Sequence, residues 1–160
     1  MRYAGLILND TAAAPGVSVT FFTQGCPHHC DGCYNPETWD FNGGEEFTTE
    51  TLDTIINGLT AQGIQRKLSI MGGEPLCDEN IFLTCLVINE VLEKVPETKI
   101  YVWTGYTYEE LQSRLHPKLK EVLELIDVLI DGPYIAAERD ITLPMRGSRN
   151  QRIIDLSQKK

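Results

Sequence analysis

Three closely spaced cysteines constrain this chain more than any other feature of its sequence. Cys26, Cys30 and Cys33 have the spacing C-x3-C-x2-C and follow an apolar run at residues 17–22. The connecting segments are so short that the three thiolates are expected to surround one inorganic group. An iron–sulfur cubane usually takes four cysteine ligands. Three would leave one iron without a protein ligand and open to a substrate or cofactor.

Zinc and disulfides are the alternative uses of these cysteines. A structural zinc site needs four nitrogen or sulfur ligands in a tetrahedron, and His28, His29 or Cys77 could supply the fourth. Disulfides need an oxidising compartment, and three close cysteines would leave one unpaired. Ligand count and spacing therefore favour an iron–sulfur cluster, although they do not exclude zinc.

The residues around the cysteines resemble a known family. Residues 25–30 read GCPHHC, residues 32–36 read GCYNP, and Thr38-Trp39 follow. The cysteine triplet is similar to that of the radical S-adenosylmethionine (radical SAM) superfamily. The longer string resembles the activating proteins of anaerobic ribonucleoside-triphosphate reductases, a subset of the glycyl-radical activases. Residues 103–106, 128–132 and 146–151 extend the resemblance over most of the chain.

Length and charge indicate one globular domain that covers residues 1–160. The chain has 160 residues, of which 42% are hydrophobic and 23% charged, enough to bury a core. Its formal net charge of −9 disfavours non-specific binding to nucleic acid or anionic lipid, so we expect neither as a partner. No run reaches the length of a membrane span. Five cysteines without a secretory signal favour a reducing cytoplasm.

Apolar runs and helical stripes alternate along the chain, which predicts an α/β fold with a parallel sheet. A closed eight-unit barrel typically needs about 250 residues. We therefore expect an open, partial TIM-like (β/α) barrel of the radical SAM type, with about five or six β/α units. The predicted strands are residues 3–8 (a short edge strand), 17–22, 68–71, 100–103, 128–130 and 152–156, and helices are expected to begin near Thr48, Asp78, Thr107 and Pro117.

Four loops directly follow predicted strands: the cysteine loop and residues 72–75, 104–106 and 131–134. In a parallel sheet these loops emerge at the same end, where such folds place their chemistry. The sequence therefore predicts that the four loops crowd one face. This expectation does not depend on the resemblance.

The second of these loops reads Gly72-Gly73-Glu74-Pro75. Two glycines let backbone groups approach a ligand closely, because no Cβ is in the way. Glu74 adds a carboxylate that can pair with an ammonium group. In radical SAM proteins the corresponding motif contacts the amino group of the methionine part of S-adenosylmethionine, and the resemblance implies this role for Gly72, Gly73 and Glu74.

The position before the third cysteine departs from the family pattern. Many radical SAM proteins carry an aromatic residue there, near the adenine, whereas this chain has Gly32. The backbone of Gly32 and Cys33, together with the ring of Tyr34, are the expected substitutes. Cys77 and Cys85 fit no second set of cluster ligands and are expected to be structural.

The resemblance also implies a mechanism and two partners. A reduced [4Fe-4S] cluster passes one electron to S-adenosylmethionine, which is cleaved to methionine and a 5′-deoxyadenosyl radical. That radical removes a hydrogen atom from the Cα of a glycine in the large subunit of the anaerobic reductase. A flavodoxin-like protein would supply the electron, and an open barrel would leave a lateral gap for the glycine loop.

Three other functional classes compete with this interpretation: an electron-carrying iron–sulfur protein, a zinc-stabilised binding module, and a radical SAM enzyme that acts on a small molecule. A cluster of arginines near the C-terminus, Arg139, Arg146, Arg149 and Arg152, has two interpretations. It is either a solvated edge or a docking surface for the partner. The sequence gives no mechanistic role for Arg146 or Asn150.

Overall fold

A single mixed sheet forms the framework of the protein. The computed structural model describes residues 1–157, and its seven-stranded sheet has the order β3-β1-β2-β4-β5-β6-β7. The strands are β1 (Arg2–Asp10), β2 (Ser18–Thr23), β3 (Glu45–Glu46), β4 (Lys67–Gly72), β5 (Ile100–Trp103), β6 (Val128–Asp131) and β7 (Arg152–Asp155). The α-helices are α1 (Thr49–Leu59), α2 (Ile81–Lys94), α3 (Tyr108–Ser113) and α4 (Pro117–Leu125). None of the helices in the described part of the chain is long and apolar enough to cross a membrane.

Parallel pairing is confined to the centre of the sheet. Strands β2, β4, β5 and β6 are parallel, whereas β1, β3 and β7 pair antiparallel with their neighbours. The predicted α/β class is therefore confirmed and the sheet is open, but the expected parallel pairing holds only for the four central strands. The sheet has fewer β/α units than expected, because helices connect only the four central strands.

The N-terminal strand accounts for part of this difference. Only residues 11–17 separate β1 from β2. This is too short for a parallel crossover, so the two strands pair as an antiparallel hairpin. The predicted short edge strand at residues 3–8 is thus wrong in its position. It is a nine-residue strand that lies between β2 and β3.

The two faces of the central strands have different surroundings. One face belongs to the hydrophobic core that the helices cover, and its strand residues include the fully buried Phe21, Ile70 and Val102. The next residue along each strand points to the opposite face because side chains alternate along a strand. These residues are Phe22, Met71 and Trp103, and they line a cavity. The helices therefore cover one face and leave the other for a site.

Three of the four predicted helix starts are confirmed, since α4 also begins at Pro117 as expected, and one is wrong. The side chain of Thr48 accepts a hydrogen bond from Thr51 N, and the side chain of Thr107 accepts one from Glu110 N, as capping residues do. Helix α2 does not start at Asp78. Asn80 occupies the N-cap position but makes no side-chain cap, because its amide nitrogen donates hydrogen bonds to Gly25 O and Glu74 O.

An ion pair between a buried carboxylate and a half-exposed arginine joins the last two strands. The side chain of Asp131 is 1% exposed, and Arg152 donates to both of its oxygens, at 3.1 Å from Nε and 2.5 Å from Nη2. The same guanidinium donates to Glu109 at 2.6 Å. These two carboxylates raise the pKa of Arg152 above its ordinary value. The pair fixes β7 against the end of β6, where the loop at residues 131–134 begins.

Replacing Arg152 with alanine should leave Asp131 buried with fewer donors. We expect Arg152→Ala to lower the free energy of unfolding by about 2 kcal/mol, since a buried carboxylate loses its charged partner. Arg149→Ala is the matched control, because Arg149 is exposed. Denaturant titrations that gave equal stabilities for the two variants would contradict this role of the pair.

Candidate functional site

The four loops predicted to crowd one face do meet in the structure. They surround a cavity of about 740 Å³, which lies in the size range of small-molecule sites. The cavity wall includes Cys26, Cys30, Cys33, Gly72, Gly73, Thr104, Gly105, Gly132 and Tyr134. The hairpin turn between β1 and β2 and the segment 141–151 complete the wall.

Backbone hydrogen bonds hold the cysteine loop closed at its base. Gly25 N donates to Thr38 O at 2.6 Å, and Cys26 N donates to Trp39 O at 3.2 Å. These bonds bring the residues before and after the three cysteines together. The loop therefore presents its thiols from a fixed base that continues directly from β2.

The three thiols differ in their exposure. Cys26 is buried, whereas Cys30 and Cys33 are partly exposed. Burial raises the pKa of the Cys26 thiol to about 11, although hydrogen bonds from the backbone of His28 and His29 act in the opposite direction. Because only the thiolate ligates a metal, metal binding at Cys26 must release this proton.

None of the three candidates for a fourth zinc ligand lines the cavity. His28 Nε2 lies 2.8 Å from a carboxylate oxygen of Glu74, and His29 stacks on Trp39 with ring centroids 4.5 Å apart. The Cys77 thiol is buried and donates to Glu74 O at 3.2 Å. A tetrahedral zinc site would need one of these groups to leave its present partner.

Glu74 lies behind the cavity wall, not in it, and is completely buried. Its Oε1 accepts from Leu76 N at 2.9 Å and from Thr104 Oγ1 at 2.8 Å. Its Oε2 accepts from Gly105 N at 2.7 Å and contacts His28 Nε2. One carboxylate thus joins the cysteine loop, its own loop and the loop after β5.

Asn80 reinforces the same junction from the start of α2. Its Nδ2 donates to Gly25 O at 3.1 Å and to Glu74 O at 2.9 Å. Sequence reasoning missed this residue, since an asparagine before a helix indicates a cap. No local pattern distinguishes it from an ordinary cap.

The glycines beside the cavity are needed for loop packing. A Cβ on Gly73 would overlap Gly25 O, and one on Gly105 would lie 2.5 Å from the ring of His28. Close approach of a ligand, the reason predicted for Gly72 and Gly73, stays a prediction for the cavity side of that loop. On the other side it is the cysteine loop that approaches closely.

The remaining predicted contacts lie near the mouth of the cavity. Tyr34 is 56% exposed, and its ring lies against Tyr134 with centroids 5.2 Å apart. Arg139 Nε donates to the Tyr34 hydroxyl at 3.1 Å. Gly32 is exposed and outside the wall. Of the predicted site residues, those that line the cavity are Cys26, Cys30, Cys33, Tyr34, Gly72 and Gly73, whereas Gly32 and Glu74 do not.

Comparison with known proteins gives a family for this site. Residues 12–154 match the family model of a 4Fe-4S single cluster domain. Proteins named anaerobic ribonucleoside-triphosphate reductase-activating protein are similar over nearly the whole chain. The Salmonella typhimurium protein is 38% identical over 94% of this chain and 96% of its own length. The Vibrio cholerae protein is 39% identical over the same shares.

The chain belongs to this family of reductase-activating proteins. A phage protein gives the same result, because the protein of Enterobacteria phage T4 is 36% identical over 96% of this chain and 93% of its own length. The family resemblance seen in the residues around the cysteines is thus confirmed. All three cysteines, and the three loops joined through Glu74, lie inside the region that the 4Fe-4S model matches.

The five thiols of this activating-protein homologue should differ in reactivity. Burial raises the pKa of Cys77 to about 12 and that of Cys85 to about 11, as it does for Cys26. In cluster-free protein at pH 8 we expect iodoacetamide to label the partly exposed Cys30 and Cys33 first, because thiolates are the reactive form. Mass spectrometry of anaerobic time points would measure this. Labelling of Cys77 as fast as Cys30 would contradict it.

Gly73→Ala tests the close approach of the two loops. We expect a loss of about 1–3 kcal/mol in the free energy of unfolding, since the methyl group would overlap Gly25 O. Gly5→Ala is the control, because its Cβ would have only an ordinary 4.0 Å contact with Phe22. Equal thermal stabilities of the two variants would show that the junction tolerates displacement.

Proposed function

We propose that the protein activates an anaerobic ribonucleoside-triphosphate reductase by generating a glycyl radical on its large subunit. In this proposal Cys26, Cys30 and Cys33 hold a [4Fe-4S] cluster that cleaves S-adenosylmethionine reductively. The observation that carries it is the position of these three thiols and the Gly72-Gly73 backbone on one cavity wall, in a chain of the reductase-activating family. The protein would then be a radical SAM oxidoreductase.

The residues present fit such a cluster. Three thiols reach the cavity, and a cluster held by three cysteines would leave one iron open to S-adenosylmethionine. When bound, the cluster would supply the one electron that cleaves S-adenosylmethionine to methionine and the 5′-deoxyadenosyl radical, which takes a hydrogen atom from a glycine Cα of the partner. The chain itself binds, orients and shields the reactants.

In the proposed site, polar backbone groups bind the ligand and apolar side chains shield it from water. We assign the amino group of the methionine part to the backbone of Gly72 and Gly73. Glu74, with four partners, would meet that ammonium group directly only if His28 moved away. Its role in the proposed site is therefore to hold the loop in place.

The adenine is assigned to the mouth of the cavity. Cys33 and the Tyr34 ring line the wall there, and the exposed Gly32 would contribute through its backbone. Deeper in the cavity, Phe22, Met71 and Trp103 form an apolar surface of the sheet. This surface would exclude water from a radical reaction.

The architecture suits a protein substrate. Helices cover only one face of the sheet, so we propose that the sheet corresponds to a partial TIM-like barrel of the radical SAM type. Its open side would admit the glycine loop of the reductase large subunit. A flavodoxin-like protein would donate the electron, and the five free thiols favour a reducing cytoplasm as the place of action.

Reconstitution with iron and sulfide under anaerobic conditions tests the proposal. After reduction and addition of S-adenosylmethionine, we expect 5′-deoxyadenosine, and a glycyl-radical signal when the reductase is added. Cys26→Ala, Cys30→Ala and Cys33→Ala should each abolish both products, because each removes one of three ligands. Cys85→Ala, whose thiol lies in the core away from the cavity, is the control and should retain them.

Other outcomes would favour the competing classes. A brown protein that forms no 5′-deoxyadenosine, even with the reductase present, would indicate an electron carrier. A colourless protein that holds one zinc ion would overturn the proposal altogether. Formation of 5′-deoxyadenosine without any radical on the reductase would point to a small-molecule substrate.

A further inference from the structure

Two buried N–H groups without a hydrogen-bond partner belong to side chains of the cavity wall. They are Trp39 Nε1 and Arg146 Nε, and among residues 1–157 only one other buried side-chain N or O atom, Asn150 Oδ1, has no partner. Buried donors are nearly always paired, because leaving one unpaired costs free energy. Both atoms are covered by the protein itself, so an acceptor on a ligand would meet them only after the side chains move.

The charge of the wall indicates the kind of acceptor. Arg146 is the only positively charged residue, and Asp10 the only negatively charged one, among the residues that line the cavity. The carboxylate of Asp10 already accepts from Ala12 N at 2.8 Å and from Thr20 Oγ1 at 2.7 Å. Arg146 makes one long hydrogen bond, 3.3 Å from Nη1 to Gln151 O, and forms no ion pair within the described chain. Hydrogen bonds from Thr142 are the main cause of the lowered pKa of Asp140, and the charge of Arg146 contributes as the smallest of several causes.

The segment that carries Arg146 is held in place on both sides. Before it, Trp103 Nε1 of β5 donates to Met145 O at 2.8 Å. After it, Gln151 Oε1 accepts from Gly147 N at 2.8 Å and from Ser148 N at 3.2 Å. The backbone around the arginine is therefore fixed before any ligand binds, which lowers the entropic cost of binding a ligand at its guanidinium group.

We propose that Arg146 binds the carboxylate of the ligand in this cavity. The inference rests on the proposed function, in which that ligand is S-adenosylmethionine. The sulfonium and ammonium groups of this molecule are cations that a guanidinium repels, so its carboxylate is the only anionic group that Arg146 can hold. A guanidinium matches a carboxylate with two parallel hydrogen bonds.

This assignment changes the interpretation of the arginine cluster near the C-terminus. Arg146 lines the cavity, Arg152 is paired with Asp131 and Glu109, and Arg139 contacts Tyr34. The cluster is therefore not one continuous docking surface, and Arg146 has the role of a ligand-binding residue.

The test compares two ligands that differ only in the carboxylate. Anaerobic equilibrium dialysis of cluster-loaded protein would measure the dissociation constants of S-adenosylmethionine and decarboxylated S-adenosylmethionine. In Arg146→Gln we expect the affinity for S-adenosylmethionine to fall by about 10- to 100-fold, which is typical of a lost charged hydrogen bond. The affinity for the decarboxylated ligand should stay within about twofold of wild type. Arg149→Gln, at an exposed position outside the cavity, is the matched control and should change neither.

Each contrary result overturns the assignment in a recognisable way. An unchanged affinity for S-adenosylmethionine in Arg146→Gln would show that another group holds the carboxylate. An equal loss for both ligands would show a merely structural role for Arg146. If the loaded wild-type protein bound neither ligand, the proposed function itself would fail, and the assignment with it. Arg146→Lys should give an intermediate loss, since it keeps the charge but not the paired geometry.

Discussion

Glu74 is the interaction on which the arrangement of the site depends. Its two carboxylate oxygens meet four nitrogen or oxygen groups from three separate loops. In a fully buried position each unmade bond would cost on the order of 1–3 kcal/mol, so the loops are stable together only in this register. The chain uses one acidic side chain as the common anchor of the cysteine loop and both neighbouring strand-to-helix loops. Asn80 links two of the same loops, because its side-chain amide donates to the backbone carbonyls of Gly25 and Glu74.

The cavity wall around Glu74 must both pack against the cysteine loop and leave backbone groups free on the cavity side. The glycine loop must lie against the cysteine loop without an intervening Cβ, and the same glycines leave backbone groups on the cavity side. The buried Cys26 thiol keeps its proton while no metal replaces it, because burial raises its pKa to about 11. Site and fold are therefore coupled, since the contacts that position the ligands also pack the protein.

Local patterns predicted the elements well, and distant contacts explain what they missed. The strand at residues 100–103 and the capping box at Thr107 were readable because their signals lie within a few neighbouring residues. The inward position of Glu74 was not predictable from local patterns, because two of its partners, Thr104 and His28, are 30 and 46 residues away along the chain. The cavity-facing position of Arg146 likewise depends on Trp103, which bonds the neighbouring Met145 across 42 residues. The total chain length limits the number of β/α units but does not show which strands a helix connects, so that number was overestimated.

The ends of the sheet have a consequence for how the protein behaves at high concentration. Among the described residues the outermost strands are β3, which is two exposed glutamates, and β7, which is four residues long with charged residues at both ends. Exposed strand edges can recruit strands from other molecules and begin aggregation, and short or charged edges prevent this. The four parallel strands are all interior. The protein can therefore leave one face of its sheet without helices while its edges discourage association with copies of itself.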